Sequence, residues 1–591
     1  MVLDNINKNS RLLYTSLILL LITITSNSYR LISSSTSSSS LLSSKYTRNK
    51  NTYCHSCELP DGFTGPPSDT PRPQKPSEPI QANDIDTLKR LISLGYAVQD
   101  IDVRGDTTSS RNLNDVHPVV LALNQRIKDN SIPGKRIDNK KIAIAIEGGG
   151  MRGCVAAGMI TAVWYLGLQS TIDVVYGSSA GSLVGAYFIA GQVPYYGPEV
   201  YYDVLTSAGE EFIDALAILR SCGLGIFDLR LDSLFRLFTD RMGKPVLNLD
   251  YLLGTIVQRI KPLNWEEFWR KQDSKEQILK VVASGLLSRK AVVMSSETNN
   301  FRNLTELAEC MKASMLLPGV TGEVMRLKGS QAEGDNIAKT WWREYVTRTS
   351  SDLILGSEPM SDAQMFEPIP YRSALKENCT HVIVLRTRAD DLSVTAKMGL
   401  MEKMIMARFF GRKQGMPNLV TWMTKQYHKL VYAEDILILN EANRDYDVHS
   451  NKPKMLCIAL PKGIPEVKRF ETSRKVIFDN VREGFAAAYD SLVLDPTMRG
   501  KGLEIAKEIW PDQIMDQLPA HILELQKAQG KLKEELVVPK LPEIELELAI
   551  EKVGAGNLPQ SKRKALTKAL RRLQQKFIGL FPVNDNTDVK Q

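Results

Sequence analysis

At 591 residues the chain is long enough for one large domain with additions or for two domains, and 43% hydrophobic with 24% charged residues is ordinary for a globular protein. The net charge of +8 is unevenly placed: residues 1–57 carry +5 and Lys562 to Lys576 carry +7, which leaves −4 for the rest. A mildly acidic body argues against a nucleic-acid-binding protein.

The chain opens with Lys8 and Arg11 ahead of an apolar run, Leu17 to Ile24. That run suits a signal-peptide core and is short of the roughly 18 residues of a membrane span. A serine tract follows, and no acidic residue occurs between Asp4 and Glu58. Residues 1–57 therefore read as a two-part address, entry to the endomembrane system and then an organelle, with a plastid as one destination. A plain disordered leader is the alternative.

Seven cysteines are scattered, and only Cys54 and Cys57 are closely spaced. No second pair completes a zinc site, so neither a structural metal nor a disulfide framework is implied. Asn303-Leu304-Thr305 and Asn378-Cys379-Thr380 fit the glycosylation sequon, but the second abuts a predicted strand. Residues 58–83 are proline-rich and read as a linker. Ile85 to Val103 and Val116 to Ile127 read as short helices that lead, over 84–140, into a core beginning at Lys141.

Lys141 to Gly191 organises the rest. Ile142, Ile144 and Ile146 predict a buried strand ending at Glu147. Gly148-Gly149-Gly150-Met151-Arg152-Gly153 then turns the chain into a helix from about Cys154. Ile172 to Tyr176 predicts a second strand. Gly177-Ser178-Ser179-Ala180-Gly181 is a sharp turn, and Ser182 to Ala190 continues as a helix. Two strand–turn–helix units this close together imply parallel strands and an α/β sheet.

The second turn has the G-x-S-x-G pattern, whose flanking glycines let the chain turn tightly enough to expose the Ser179 hydroxyl above the sheet. The first turn supplies what an exposed serine needs. Successive glycines leave N–H groups free to meet a developing oxyanion, aided by the dipole of the following helix. Glycine turns after strands also bind dinucleotides, but no acidic residue stands about twenty positions on at a strand end, where a ribose contact belongs.

E-G-G-G-M-R-G followed by G-S-S-A-G resembles the patatin-like phospholipases. The resemblance runs from about His117 to Arg388 and takes in Lys312 to Val320 and Ser361 to Arg388. It implies a three-layer α/β/α sandwich with a mainly parallel sheet, here with helical C-terminal additions. It also implies a serine–aspartate dyad that hydrolyses acyl esters of lipids without histidine. On that reading the catalytic domain spans 141–390, 391–510 completes the core, and 511–591 is a charged helical tail.

The resemblance places the catalytic aspartate at Asp362, in the turn Asp362-Ala363-Gln364. A carboxylate within reach of Ser179 can take its proton and return it to the leaving alcohol. The turn departs from the family's pattern, because Gln364 stands where a small residue is usual. Asp335 is the competing base. A triad with His381 also fits the chain order of α/β-hydrolases, though a histidine opening the apolar run HVIVL is more often structural. Arg152 reads as orienting the first turn or a phosphate.

Further strands are predicted at Leu279 to Ala283, Ala291 to Ser295, His381 to Leu385 and Met455 to Leu460. Helices are predicted over Tyr201 to Arg241, Met311 to Leu317 and Pro511 to Leu536. Met398 to Phe410 is Met- and Phe-rich and reads equally as a lid or acyl-channel helix and as a buried core helix. At the C-terminus, Leu566, Leu570, Leu573, Phe577 and Leu580 fall on one helical face amid seven basic residues. That helix either lies on a membrane surface or docks onto the body.

The expected function is hydrolysis of glycerolipid esters at a membrane or lipid-droplet surface, through an acyl-Ser179 intermediate, with no cofactor. The alternative is a non-catalytic lipid-binding protein on the same fold. Lipid class and oligomeric state are not legible.

Overall fold

Isoleucine and alanine alternate through β1 (Ile142–Ile146), and all five residues are buried. Successive side chains of a strand point to opposite faces, so a strand buried on both faces is the middle of a three-layer structure. Ile142, Ile144 and Ile146 enter one apolar cluster, and Ala143 and Ala145 enter another. The computed structural model describes residues 79–80, 84–107, 116–214, 217, 245–322, 324–325, 359–444, 452–519 and 522. The leader, nearly all of the proline-rich linker, Asp335 and the basic C-terminal helix lie outside the described residues.

The strands after β1 are β2 (Val174–Ser178), β3 (Ile278–Gly285), β4 (Lys290–Met294), β5 (Met360–Ser361), β6 (His381–Leu385) and β7 (Lys454–Ile458). Among the described residues they form one sheet in the order β4-β3-β2-β1-β6-β7, with β5 pairing β3. The pairs β1–β2, β1–β6, β2–β3 and β6–β7 are parallel, whereas β4 and β5 run antiparallel to β3.

Helices cover both faces. They include α1 (Ile85–Ser93), α2 (Pro118–Lys128), α3 (Gly153–Tyr165), α4 (Ala180–Ile189), α5 (Leu304–Met315), α6 (Tyr371–Lys376), α7 (Leu400–Met406), α8 (Tyr427–Arg444), α9 (Arg474–Leu492) and α10 (Gly502–Ile509). Apolar residues of α2, α3, α4, α5, α9 and α10 share the isoleucine face of β1. Those of α1, α6 and α8 share the alanine face. This is the expected three-layer α/β/α sandwich with a mainly parallel sheet. It carries helical additions after β7.

Boundaries differ from expectation where local chemistry intervenes. Helix α1 ends at Ser93, short of Val103, because Gly95 takes a φ of 90° that stops a helix. Strand β2 begins at Val174 and runs to Ser178; just ahead of it the Asp173 carboxylate accepts the Ile142 amide at 2.8 Å and pairs with Arg126 and Arg136. Helix α5 starts well before Met311. Its N-cap is Asn303, whose side chain accepts the Glu306 amide at 2.9 Å, so the first sequon serves as a helix cap. Of the helix expected over Pro511 to Leu536, Gln513–Asp516 is one helical turn and extended backbone follows at Gln517, while residues 520–521 and 523–536 lie outside the described residues. Pro519 explains the break, since proline lacks an N–H and disfavours helical geometry in the residue before it. Of the helix expected over Tyr201 to Arg241, Val200–Leu205 is helical and most of the remainder lies outside the described residues.

The Met- and Phe-rich stretch forms α7 and continues as a wide turn over Ala407–Lys413. Ile405 and Phe409 pack with Val320, beside Leu317 and Phe470, while Leu400 is exposed. Cys154, Cys310, Cys379 and Cys457 are buried and unbridged.

Candidate active site

The parallel strands β1, β2, β3, β6 and β7 all end at one edge of the sheet, where open α/β folds place their ligands. Ser179 stands there, between β2 and α4, with φ 51° and ψ −124°. A non-glycine residue in that region carries strain of order 1–3 kcal/mol and persists only where neighbours hold it. The neighbours are specific. The Ser179 amide donates to Ser314 Oγ at 2.7 Å, and that hydroxyl donates in turn to the Val282 carbonyl of β3. Ser182 Oγ donates to the Ser179 carbonyl at 2.7 Å. One residue back, Ser178 Oγ donates to the Glu367 carbonyl at 3.0 Å.

The Ser179 hydroxyl donates to Asp362 Oδ2 at 3.0 Å. Asp362 caps a short turn, Ala363–Met365, and its other oxygen accepts the Gln364 amide at 2.8 Å. The Asp362 amide donates to the Leu316 carbonyl at 2.7 Å. Thus the stretch from Lys312 to Val320 serves both partners, Ser314 holding the serine and Leu316 the aspartate. Burial pushes the Asp362 carboxyl above the ordinary carboxylate range; the Gln364 amide, the Arg469 charge and the Ser179 hydroxyl oppose that rise.

The first glycine turn abuts the elbow. A Cβ on Gly148 would lie 2.7 Å from the Ser179 Cβ, so no other residue fits. Gly150 has φ 62°, and a Cβ there would lie 2.7 Å from the Arg469 carbonyl oxygen. The turn is anchored from behind. Glu147 accepts the Thr387 amide and the Tyr432 hydroxyl, each at 2.6 Å, and Thr387 Oγ1 donates to the Gly148 carbonyl at 2.9 Å.

The six residues of this turn do not share one role. The Met151 amide donates to the Arg469 carbonyl at 3.0 Å, the Arg152 amide to Gly149 at 3.3 Å, and the Gly153 amide back into the turn. Gly148 donates to the Pro368 carbonyl at a long 3.5 Å. The Gly149 and Gly150 amides meet no acceptor among the described residues. Of the elbow residues, Gly177 and Ser178 complete β2, and Ala180 and Gly181 begin α4.

Arg152 turns away from chemistry. Its guanidinium pairs with Glu466 at 2.6 Å, and Arg388 pairs with the same Glu466 oxygen at 2.9 Å. His381 lies at the far end of the sheet. It is in register with Ile142, whereas Gly177 is in register with Ile146. Four residues of strand, about 13 Å, therefore separate it from the elbow. Burial lowers its pKa to about 4, helped by Lys140, Arg126 and Lys454. Among the described residues, no histidine bonds Ser179, and no group of three His, Cys, Asp or Glu side chains is placed to hold a metal ion.

Sequence reasoning did not single out Ser314, Thr387, Tyr432, Glu466 or Arg469. Ser314 and Thr387 lie within stretches that the family resemblance takes in but were not named individually, and Tyr432, Glu466 and Arg469 lie beyond it.

Residues 144–375 match the family model described as patatin-like phospholipase. No curated protein sequence matches the chain. The crystal structure of VipD from Legionella pneumophila is similar at 14% identity and a TM-score of 0.29, over 76% of this chain and 89% of that one. Human GIVD cytosolic phospholipase A2, in complex with methyl gamma-linolenyl fluorophosphonate, is similar at 12% identity and a TM-score of 0.29. That match takes in 66% of this chain and 63% of the human one.

Proposed function

We propose that the protein is a lipid acyl hydrolase that cleaves carboxylic esters through an acyl-Ser179 intermediate. The observation that carries this reading is the 3.0 Å bond from the Ser179 hydroxyl to Asp362. Asp362 takes the hydroxyl proton as Ser179 Oγ attacks the ester carbonyl, and returns it to the departing alcohol. The Gly149 and Gly150 amides receive the charge that develops on the carbonyl oxygen. A water then gives a proton to Asp362 and attacks the acyl-serine, and the fatty acid leaves as Oγ recovers its proton. No step calls on a cofactor.

The raised pKa of Asp362 suits this role, because a carboxylate disfavoured by burial is a stronger base than one in water. Gln364 meets Asp362 through its main-chain amide, a contact that any residue but proline supplies. That favours the catalytic reading over a lipid-binding one.

The test is turnover of a soluble short-chain ester by the wild type, Ser179→Ala, Asp362→Asn and His381→Gln. The first substitution abolishes turnover, the second lowers it about 10²–10⁴-fold, and the third has a mild effect. Undiminished turnover in Ser179→Ala, or a severe loss confined to His381→Gln, refutes the assignment.

A further inference from the structure

The turn that carries Asp362 leaves one polar side chain uncommitted. Ala363 and Met365 are fully buried, whereas Asp362 and Gln364 are half-buried. The Gln364 main-chain amide is held on Asp362 Oδ1 at 2.8 Å, which fixes that residue beside the carboxylate. Its carboxamide makes no hydrogen bond among the described residues. Ser179 itself is only 7% exposed, so the side of the dyad that meets solvent is the side of Asp362 and Gln364.

Acylation changes what this corner needs. Once Ser179 Oγ carries the acyl group it has no proton to donate, and Asp362 Oδ2 is free to accept one from water. That water must satisfy three directions at once. One O–H points at Oδ2, a lone pair points at the acyl carbon, and the second O–H needs an acceptor of its own. Nearby main-chain carbonyls are engaged. Leu316 accepts the Asp362 amide and the Ser361 hydroxyl, Ala363 accepts the Phe366 and Glu367 amides, and Asp362 accepts the Met365 amide. Arg469, whose charge acts on Asp362, has only donors and would engage the lone pair that has to attack. A glutamine side chain offers an acceptor oxygen with two lone pairs.

We propose that Gln364 positions the deacylating water, its Oε1 accepting one O–H while Asp362 Oδ2 accepts the other. This rests on the acyl-Ser179 reading above. The water oxygen bonds to the acyl carbon as its first proton passes to Asp362. The bond from that carbon to Oγ then breaks, and Asp362 returns the proton to Oγ. The second proton stays on the new carboxylic acid. The carboxamide has no part in the first half-reaction, in which the Ser179 hydroxyl donates directly to Asp362 at 3.0 Å. Its loss therefore falls on the second half-reaction alone.

The test times the two halves apart. An excess of a short-chain p-nitrophenyl ester acylates Ser179, and intact mass follows the loss of the acyl group after the ester is removed. Gln364→Met keeps the length of the side chain and removes its acceptor. In that variant acyl-Ser179 decays about tenfold more slowly than in the wild type, the scale of one hydrogen bond to the reacting water. On the same ester kcat and KM fall together, as a slowed second half-reaction requires. Fluorophosphonate labelling, which reads only the attack of Ser179, proceeds at the wild-type rate. Gln364→Ala shows the same slowing. Wild-type decay in both variants overturns the proposal. So does slowed labelling, which would make Gln364 a support of the dyad in both halves. A wild type that neither labels nor forms an acyl-enzyme overturns the hydrolase reading, and this inference falls with it.

Discussion

Replacing Ser314 by alanine removes one oxygen from a fully buried position behind the nucleophile. That oxygen accepts the Ser179 amide at 2.7 Å and donates to the Val282 carbonyl. Without it a buried N–H has no partner, at a cost of about 1–3 kcal/mol. The loss falls on a residue whose φ of 51° already needs support from its neighbours. We therefore expect lower stability and, separately, a displaced hydroxyl. A misplacement of about 1 Å at the reacting atom costs on the order of 10²-fold. The assay is chemical denaturation together with kcat on a soluble ester. Ser182→Ala is the control, because its hydroxyl also serves Ser179 but the carbonyl it bonds keeps the Ser182 amide. We predict that Ser314→Ala lowers kcat about 10–100-fold with little change in KM, and that Ser182→Ala lowers it far less. Full activity in Ser314→Ala, or equal loss in the two variants, refutes the idea that Ser314 positions the nucleophile.

The Asp362 carboxyl is raised by burial, so the acid limb of the kcat/KM profile should fall above the ordinary carboxylate range. The same shift sets a sign for stability. A folded-state pKa above the unfolded value gives stability that is present at low pH and is lost as pH rises through the folded value. Asp362→Asn should therefore be more stable than wild type at neutral pH, with the gap closing in acid; denaturation midpoints at the two pH values check it. For the basic C-terminal segment, deleting residues 556–591 should weaken binding to anionic vesicles, most at low salt, and spare soluble-ester turnover. Equal vesicle binding with and without it refutes a surface helix. A fluorescent fusion of residues 1–57 should enter the endomembrane system, and retention in the cytosol contradicts that address.

What was legible in the sequence was local. The alternation in β1, the glycine spacing of both turns and the small residues of α3 and α4 lie within fifty residues and follow from backbone geometry alone. Asp362 lies 183 residues from Ser179, and family resemblance rather than any periodicity pointed to it. Ser314, Thr387 and Glu466 were not legible as site residues. A serine in a helix, a threonine after a strand and a glutamate in a loop are common, and only the fold shows what each of them holds. The division of labour within the glycine turn was equally hidden, since it depends on the Arg469 carbonyl arriving from more than three hundred residues away to occupy the Met151 amide. Pro519 was in plain view, and the extended backbone at Gln517 just ahead of it interrupts the span expected to be helical.

The central claim is that Asp362 activates Ser179 for covalent chemistry, and the reaction with a fluorophosphonate ester reads that most directly. The phosphorus reagent bonds only to an activated hydroxyl, so the rate of mass gain on the Ser179 peptide measures activation without any assumption about the natural lipid. We predict stoichiometric labelling of Ser179 in the wild type, none in Ser179→Ala, and labelling slowed at least about 10²-fold in Asp362→Asn. A wild type that does not label, or an Asp362→Asn variant that labels as fast as the wild type, contradicts the account.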